Sequence, residues 1–268
     1  MTAATPRTTP TRTRLDQLLV ERGLAPSRER AQALILAGAV RVAGEVADRA
    51  ALPLRPDAVV TVDAGPRFVS RGGEKLDGAL ADFGLSVSDA VALDVGASTG
   101  GFTDRLLQGG AQRVYAIDVG HGQLDWKLRT DPRVISREGV NARTGFDLPE
   151  AVDLIVADLS FISLALALPP AFVHLRDGGD VIALVKPQFE AGRAAVGRGG
   201  IVRDPAVRAD AVAAVAERFT AEGVACVAIA PSRIAGREGN REIFIHARKG
   251  DAGLAPGRIR ERAREAAE

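Results

Sequence analysis

The 268-residue chain has one cysteine, one methionine, one tryptophan and one tyrosine, and aromatics make up only 4% of it. A single Cys226 excludes an intramolecular disulfide framework and fits a reducing compartment, so the expected location is the cytoplasm. Three scattered histidines and that one cysteine give no zinc-ligand spacing, so no metal site is expected. Long apolar runs are missing too. The longest stretch free of charge, Leu159–Val173, is broken by Pro169-Pro170 and falls short of the roughly 20 residues a membrane-spanning helix needs. No membrane association is therefore expected. The segment 1–13 is Thr/Pro-rich without an apolar core and is read as a disordered tail, not a signal peptide. Neither charge sign dominates, with a formal net charge of +1. Two nucleotide-binding signatures are also absent: no G-x-G-x-x-G, and no Gly-Lys-Ser/Thr of a phosphate loop.

What is present divides the chain. In residues 14–62, Leu15, Leu18, Leu19 and Arg22 share one helical face that Gly23 closes. Ser27 is a good N-cap for a second helix burying Ala31, Leu34 and Ile35, with Gly38 at its end. Val40–Val42 and 59–62 read as short strands. Residues 1–62 hold nine Arg against six Asp/Glu and no aromatics, so this small domain would hold phosphates and shape, not stacked bases. A linker is expected at 63–69, where Gly65-Pro66 stands.

From residue 70 to 248 strands alternate with helices, with strands near 91–95, 114–118, 153–157, 181–186, 224–230 and 241–248. Near-continuous apolar runs predict a mostly parallel, doubly wound α/β sheet buried on both faces. The last two runs lie too close for a crossover helix, so the final strand should be antiparallel. The charged tail 249–268 is expected to fray.

The segment Leu93–Phe102 carries the clearest functional signal. An apolar strand runs into a small-residue turn with Gly96 and Gly100, then into a helix whose free N–H groups face a ligand. Asp94 before the first glycine and Asp118 at the end of the next strand, 22 residues beyond Gly96, suit S-adenosyl-L-methionine (SAM). Asp94 would face the methionine moiety and Asp118 the ribose hydroxyls. The plain alternative is a Gly-rich turn with two solvated aspartates.

Ligands of such sheets sit beyond the carboxyl ends of the parallel strands. Asp158 and Lys186 end two such strands, and Glu242 opens the antiparallel one at the same rim. Lys75 lies in the first turn of a helix, against its dipole, and so calls for a facing carboxylate or RNA phosphate. A Lys75–Asp158–Lys186–Glu242 set suits methyl transfer to a ribose hydroxyl. Lys186 would orient that hydroxyl and stabilise the developing alkoxide or take its proton, and Asp158 would orient Lys186. Lys75 and Glu242 would position the ribose.

Several stretches resemble known proteins. Arg14-Leu15-Asp16 through Gly44 is similar to the small RNA-binding domain of ribosomal protein S4. Val69–Leu76, Asp94–Phe102, Ala157–Ser163 and Leu184–Glu190 resemble the TlyA family, a branch of the FtsJ-like ribose methyltransferases; Gly120–Trp126, Asp131–Val134 and Asn141-Ala142-Arg143 extend the likeness. The resemblance implies SAM-dependent 2′-O-methylation of cytidine in 16S or 23S ribosomal RNA, with Lys75, Asp158, Lys186 and Glu242 as the catalytic tetrad. Cofactor contacts are expected from Asp94, Gly96, Ala97, Ser98, Thr99, Gly100, Phe102, Asp118, Asn141 and Asp158. RNA contacts are expected from Arg12, Arg14, Arg28, Arg30, Arg41 and Arg71. The partner is then ribosomal RNA or a ribosomal subunit and not DNA, which lacks the 2′-OH. Oligomeric state is left open. One departure is the turn Val42-Ala43-Gly44, which lacks the Asn or Asp that tolerates φ > 0, so its turn type is open. Two other functions are compatible with the sequence: an RNA-binding regulator without catalysis, and a haemolysin or pore-former, a label members of the family have carried.

Overall fold

The computed structural model describes residues 12–63, 65–236 and 239–268. It parts into two compact units between Arg67 and Phe68.

In the first unit α1 (Leu15–Glu21) and α2 (Arg28–Leu36) pack on a small sheet. Leu15, Leu18, Leu19, Ala31, Ile35, Val40 and Val60 form its core. Both helices stop as the glycines predict, with Gly23 and Gly38 at φ +70°. Ser27 caps α2 by accepting from Arg30 N at 3.2 Å. β1 (Thr13–Arg14) pairs antiparallel with β4 (Pro53–Leu54), and β2 (Val40–Val42) pairs with β3 (Glu45–Val46) and β5 (Val60–Val62). The expected disordered tail lies outside the described residues up to residue 11, but Thr13 belongs to β1, held by its register with Leu54. The turn left open is now defined: Ala43 (φ +53°) and Gly44 (φ +89°) are both left-handed, as a two-residue type I′ hairpin turn requires. Val42 opposite Glu45 pins that register, so Ala43 accepts an unfavourable conformation.

The second unit has a seven-stranded sheet built from β6 (Val91–Val95), β7 (Arg113–Asp118), β8 (Val134–Glu138), β9 (Val152–Ala157), β10 (Leu175–Val185), β11 (Val224–Pro231) and β12 (Ile243–Lys249). Their spatial order is β11-β12-β10-β9-β6-β7-β8. Only β12 runs antiparallel to its neighbours, as expected from the short connection before it. α3 (Arg71–Phe83), α4 (Gly101–Gln108) and α5 (Trp126–Arg129) contribute to one apolar layer, around Leu76, Leu106 and Val114. The layer on the other side gathers α6 (Leu164–Ala167), α8 (Pro205–Ala221) and α9 (Pro256–Ala267) around Val212, Phe219 and Ile259. A one-turn helix, α7 (Pro187–Glu190), directly follows β10.

Three expectations need correction. The linker does not extend to residue 69: Phe68 is buried against Gly73, where an added Cβ would meet its ring at 2.2 Å, and Val69 N donates to Asp104. The tail from 249 does not fray. Ile259, Ala263, Ala266 and Ala267 recur at helical spacing, are buried, and seat α9 against α8 and β11. β8, absent from the expected strands, is an edge strand in which no residue is fully buried, so it lacks the apolar run of its neighbours.

Candidate active site

The loop after β6 is shaped by two aspartates. Asp94 is wholly buried; its Oδ2 accepts from Thr103 N at 3.0 Å and Thr103 Oγ1 at 2.7 Å. Its Oδ1 is buried without a partner. Burial, reinforced by the nearby Asp158 and Asp118 charges, pushes the Asp94 carboxyl up to about 7 against the Thr103 hydrogen bonds. Asp118 ends β7 and takes one backbone donor on each oxygen, Ser98 N at 2.8 Å and Gly120 N at 2.7 Å. That still leaves carboxylate lone pairs for a ligand. Gly96, at φ +85°, lies so close to the next loop that a Cβ would stand 2.7 Å from Leu159 Cδ2 and 3.2 Å from Asp158 O.

Two adjoining cavities open on this loop. One, of about 390 Å³, is lined by Asp94, Gly96, Ala97, Ser98, Thr99, Phe102 and Asp158, together with Lys75, Lys186, Ser160 and Arg71. The other, of about 500 Å³, is lined by Asp118, Asn141 and an apolar set including Val95, Ile117, Val140, Leu159 and Ile162. They share Gly96, Ser98, Asp158 and Ser160. Gly100 lines neither. A Cβ there would run into Leu128 Cδ1 at 2.3 Å and Leu124 Cδ1 at 2.7 Å, so this glycine serves packing. Asn141 spends its Oδ1 on Arg143 N, capping the turn at Ala142–Thr144. Phe102 is largely core, its ring stacked 6.3 Å from Phe244.

Two lysine–carboxylate pairs stand at the first cavity. Lys75 is 8% exposed, and its Nζ donates to Glu242 Oε2 at 2.6 Å; Glu242 is 4% exposed. The carboxylate that a lysine against the α3 dipole calls for is thus Glu242, across 167 residues. Lys186 Nζ lies 2.6 Å from Asp158 Oδ1 and donates to Ser160 Oγ at 2.8 Å. Glycine contacts allow this closeness: a Cβ on Gly101 would lie 2.8 Å from Gly73 N, so the first turns of α3 and α4 nearly touch.

Some contributors carried no separable signal in the sequence. Ser160 appeared only inside a motif. Gly236 sits so close that a Cβ would be 2.6 Å from Glu242 Oε1, and Glu190 fastens the loop after β9 by accepting from Ser163 Oγ at 2.6 Å and Leu164 N at 2.7 Å.

A model of the FtsJ-like methyltransferase family matches residues 68–249, and one of the S4 domain matches residues 13–60. The chain belongs to the FtsJ-like methyltransferase family. It is 49% identical over 240 residues to the 16S/23S rRNA (cytidine-2′-O)-methyltransferase TlyA of Mycobacterium tuberculosis, covering 87% of this chain and 89% of that one. Hemolysin A of Brachyspira hyodysenteriae is 41% identical over 239 residues, 87% of this chain and 98% of its own. A solved structure from Streptococcus thermophilus, described as a hemolysin, superposes with a TM-score of 0.70 at 41% identity over 96% of both chains. The resemblance to the TlyA branch is borne out, and so is the α/β methyltransferase fold.

The first compact unit of this FtsJ-like methyltransferase carries five of the six arginines expected to contact RNA, four of them within the S4 match. Arg12 and Arg30 are exposed. Arg14 and Arg28 both bond the carboxylate of Asp16, and Arg41 pairs with Asp63 at 2.9 Å. The sixth, Arg71, belongs to the methyltransferase domain. It lines the cavity beside Lys75 and donates to Ala235 O at 2.6 Å.

Proposed function

We propose that this methyltransferase moves a methyl group from SAM to the ribose 2′-hydroxyl of a ribosomal RNA cytidine in the cytoplasm, with the S4 domain docking on rRNA or a ribosomal subunit. The residues present fit the cofactor. The buried, unpartnered Oδ1 of Asp94 suits an ammonium group, and Asp118 at the apolar second cavity suits a ribose diol beside an adenine. Gly96, Ala97, Ser98 and Thr99 supply a backbone cradle that a side chain at Gly96 would fill. Bound there, SAM supplies an electrophilic methyl group on a good leaving group.

The chain's own task is to position the hydroxyl and manage its proton. Lys186 Nζ, held between Asp158 and Ser160, is placed to hydrogen-bond the 2′-oxygen and stabilise negative charge growing on it. The hydroxyl proton passes to solvent as the oxygen attacks the methyl group. Asp158 fixes the lysine's direction. Lys75, fixed by Glu242, adds a second cation to the same cavity and orients the ribose. Much of the rate then comes from alignment of nucleophile and methyl group.

The observation that carries this reading is the pair of lysines, each paired with a carboxylate, lining one cavity with Asp94, whose Oδ1 is buried without a partner. The test is transfer of labelled methyl from SAM to ribosomal subunits lacking the modification. Label at ribose 2′-O with the wild type, lost in Lys186→Ala while cofactor binding survives, is the expected result. No label on either subunit or on free rRNA, despite tight cofactor binding, would replace this reading with a non-catalytic RNA-binding regulator. The pore-forming alternative is not favoured: the family is that of methyltransferases, and among the described residues no helix is long and apolar enough to cross a membrane.

A further inference from the structure

The Asp16 carboxylate has no part in methyl transfer, yet it is the most heavily bonded acid of the S4 domain. It stands in the first turn of α1 with its side chain fully buried. Its Oδ1 accepts from Arg14 Nε at 3.0 Å. Its Oδ2 accepts from Arg14 Nη2 at 3.0 Å, Arg28 Nη2 at 3.1 Å and Gln32 Nε2 at 2.9 Å. The fork of Arg14 therefore grips the carboxylate with two parallel bonds, and Arg28 shares one of its oxygens. The bonds from Arg14 hold the Asp16 carboxyl well below the usual range, against the effect of burial, so it stays ionised throughout the neutral range.

The guanidinium groups are the exposed side of this arrangement: the Arg14 and Arg28 side chains keep 47% and 55% of their surface in solvent. Each has further N–H groups beyond those given to Asp16. Two free arginines would repel one another. Here a buried anion behind them cancels one charge and leaves the triad at +1, the complement of one phosphodiester.

We infer that Asp16 is a positioning residue that holds Arg14 and Arg28 as a two-pronged clamp for a single RNA backbone phosphate. The inference rests on the proposed docking of the S4 domain on rRNA. It separates from a general basic surface by the sign of a substitution. Asp16→Asn adds one positive charge to an RNA-binding face, so bulk electrostatics predicts tighter binding. A clamp that loses its anchor binds more weakly.

The experiment uses the full chain and purified ribosomal subunits lacking the methyl group, with three variants: Asp16→Asn, Arg14→Lys and Arg28→Lys. The lysine variants keep the net charge and leave Asp16 a cationic partner, so they test the clamp even where Asp16→Asn fails to fold, which proteolysis of the S4 domain reveals. Each folded variant is expected to lose about tenfold in subunit affinity, the equivalent of one charge-assisted hydrogen bond. The loss falls on KM for the subunit more than on kcat, with cofactor affinity unmoved. Lysine variants that bind like wild type, or a folded Asp16→Asn that binds more tightly, would overturn the clamp. Wild-type protein that methylates no subunit would instead overturn the proposed function, so the two failures are distinct.

Discussion

Asp94 offers the sharpest test of how the site is built, because its burial makes a prediction about stability as well as binding. Its carboxyl is raised from 3.8 to about 7, chiefly by burial. At 1.36 kcal/mol per pH unit, that difference costs the ionised ligand-free protein up to about 4 kcal/mol. The native state holds the proton more tightly than the unfolded chain, so stability must fall as pH rises between the two values and level off above the upper one. Asp94→Asn removes the charge and keeps an oxygen for the Thr103 N–H and hydroxyl. Urea unfolding of both proteins at intervals from pH 4 to pH 8.5 should show near-equal stability at the acid end. Above pH 7 the variant should gain roughly 2–4 kcal/mol over wild type. Cofactor binding should run the other way. An ammonium facing Oδ1 needs the ionised form, so wild-type affinity for S-adenosylhomocysteine rises from pH 5.5 to 7.5 with proton release to the buffer. The variant binds weakly and without that dependence. A wild-type minus variant stability difference that stays flat across the range would refute the reasoning, as would pH-independent wild-type affinity.

Further outcomes follow from the same geometry. Lys75→Ala strands the buried Glu242 and should cost about 3–5 kcal/mol in thermal or urea unfolding, whereas Lys75→Met with Glu242→Gln should recover most stability but not methyl transfer. Gly236→Ala drives a methyl group against Glu242 Oε1, so kcat should fall while calorimetric cofactor affinity holds. Glu190→Ala frees Ser163 and Leu164; the loop bearing Ser160 and Phe161 should lose hydrogen-exchange protection and methyl transfer should slow, with Glu190→Gln intermediate. Truncation after Lys249 removes α9 and takes Ala267 O from Arg208, so the melting temperature should drop and the apolar faces of α8 and β11 should bind a hydrophobic dye.

Which parts of this molecule could be read from sequence follows from how local their causes are. Asp94, Gly96 and Asp118 were legible because a strand, a tight turn and a helix start leave a contiguous signature, and the chain's departure from G-x-G-x-x-G narrowed the ligand. Asp158, Lys186 and Glu242 were legible for a different reason: a doubly wound sheet with an antiparallel last strand puts strand ends at one rim, so topology gathers residues far apart in sequence, whereas Lys75 stood out by its place against the α3 dipole. Their pairing was only half legible. Sequence could ask for an anion near Lys75, but the choice of Glu242 over Asp158 depends on β12 lying beside β10, with Val185 opposite Ile243. Gly100 lines neither cavity and packs on Leu124 and Leu128, and in one dimension a glycine needed for packing looks the same as a glycine needed by a ligand. The tail was misread for the converse reason. Charge dominates residues 256–267, and only the period of Ile259, Ala263 and Ala266 betrays a buried face, with side chains too small to register as a hydrophobic run. Asp16 and Ser160 show where such reading ends: each matters through partners that converge in space, Arg28 and Gln32 for the one and Lys186 for the other, and a pattern along the chain holds no record of that convergence.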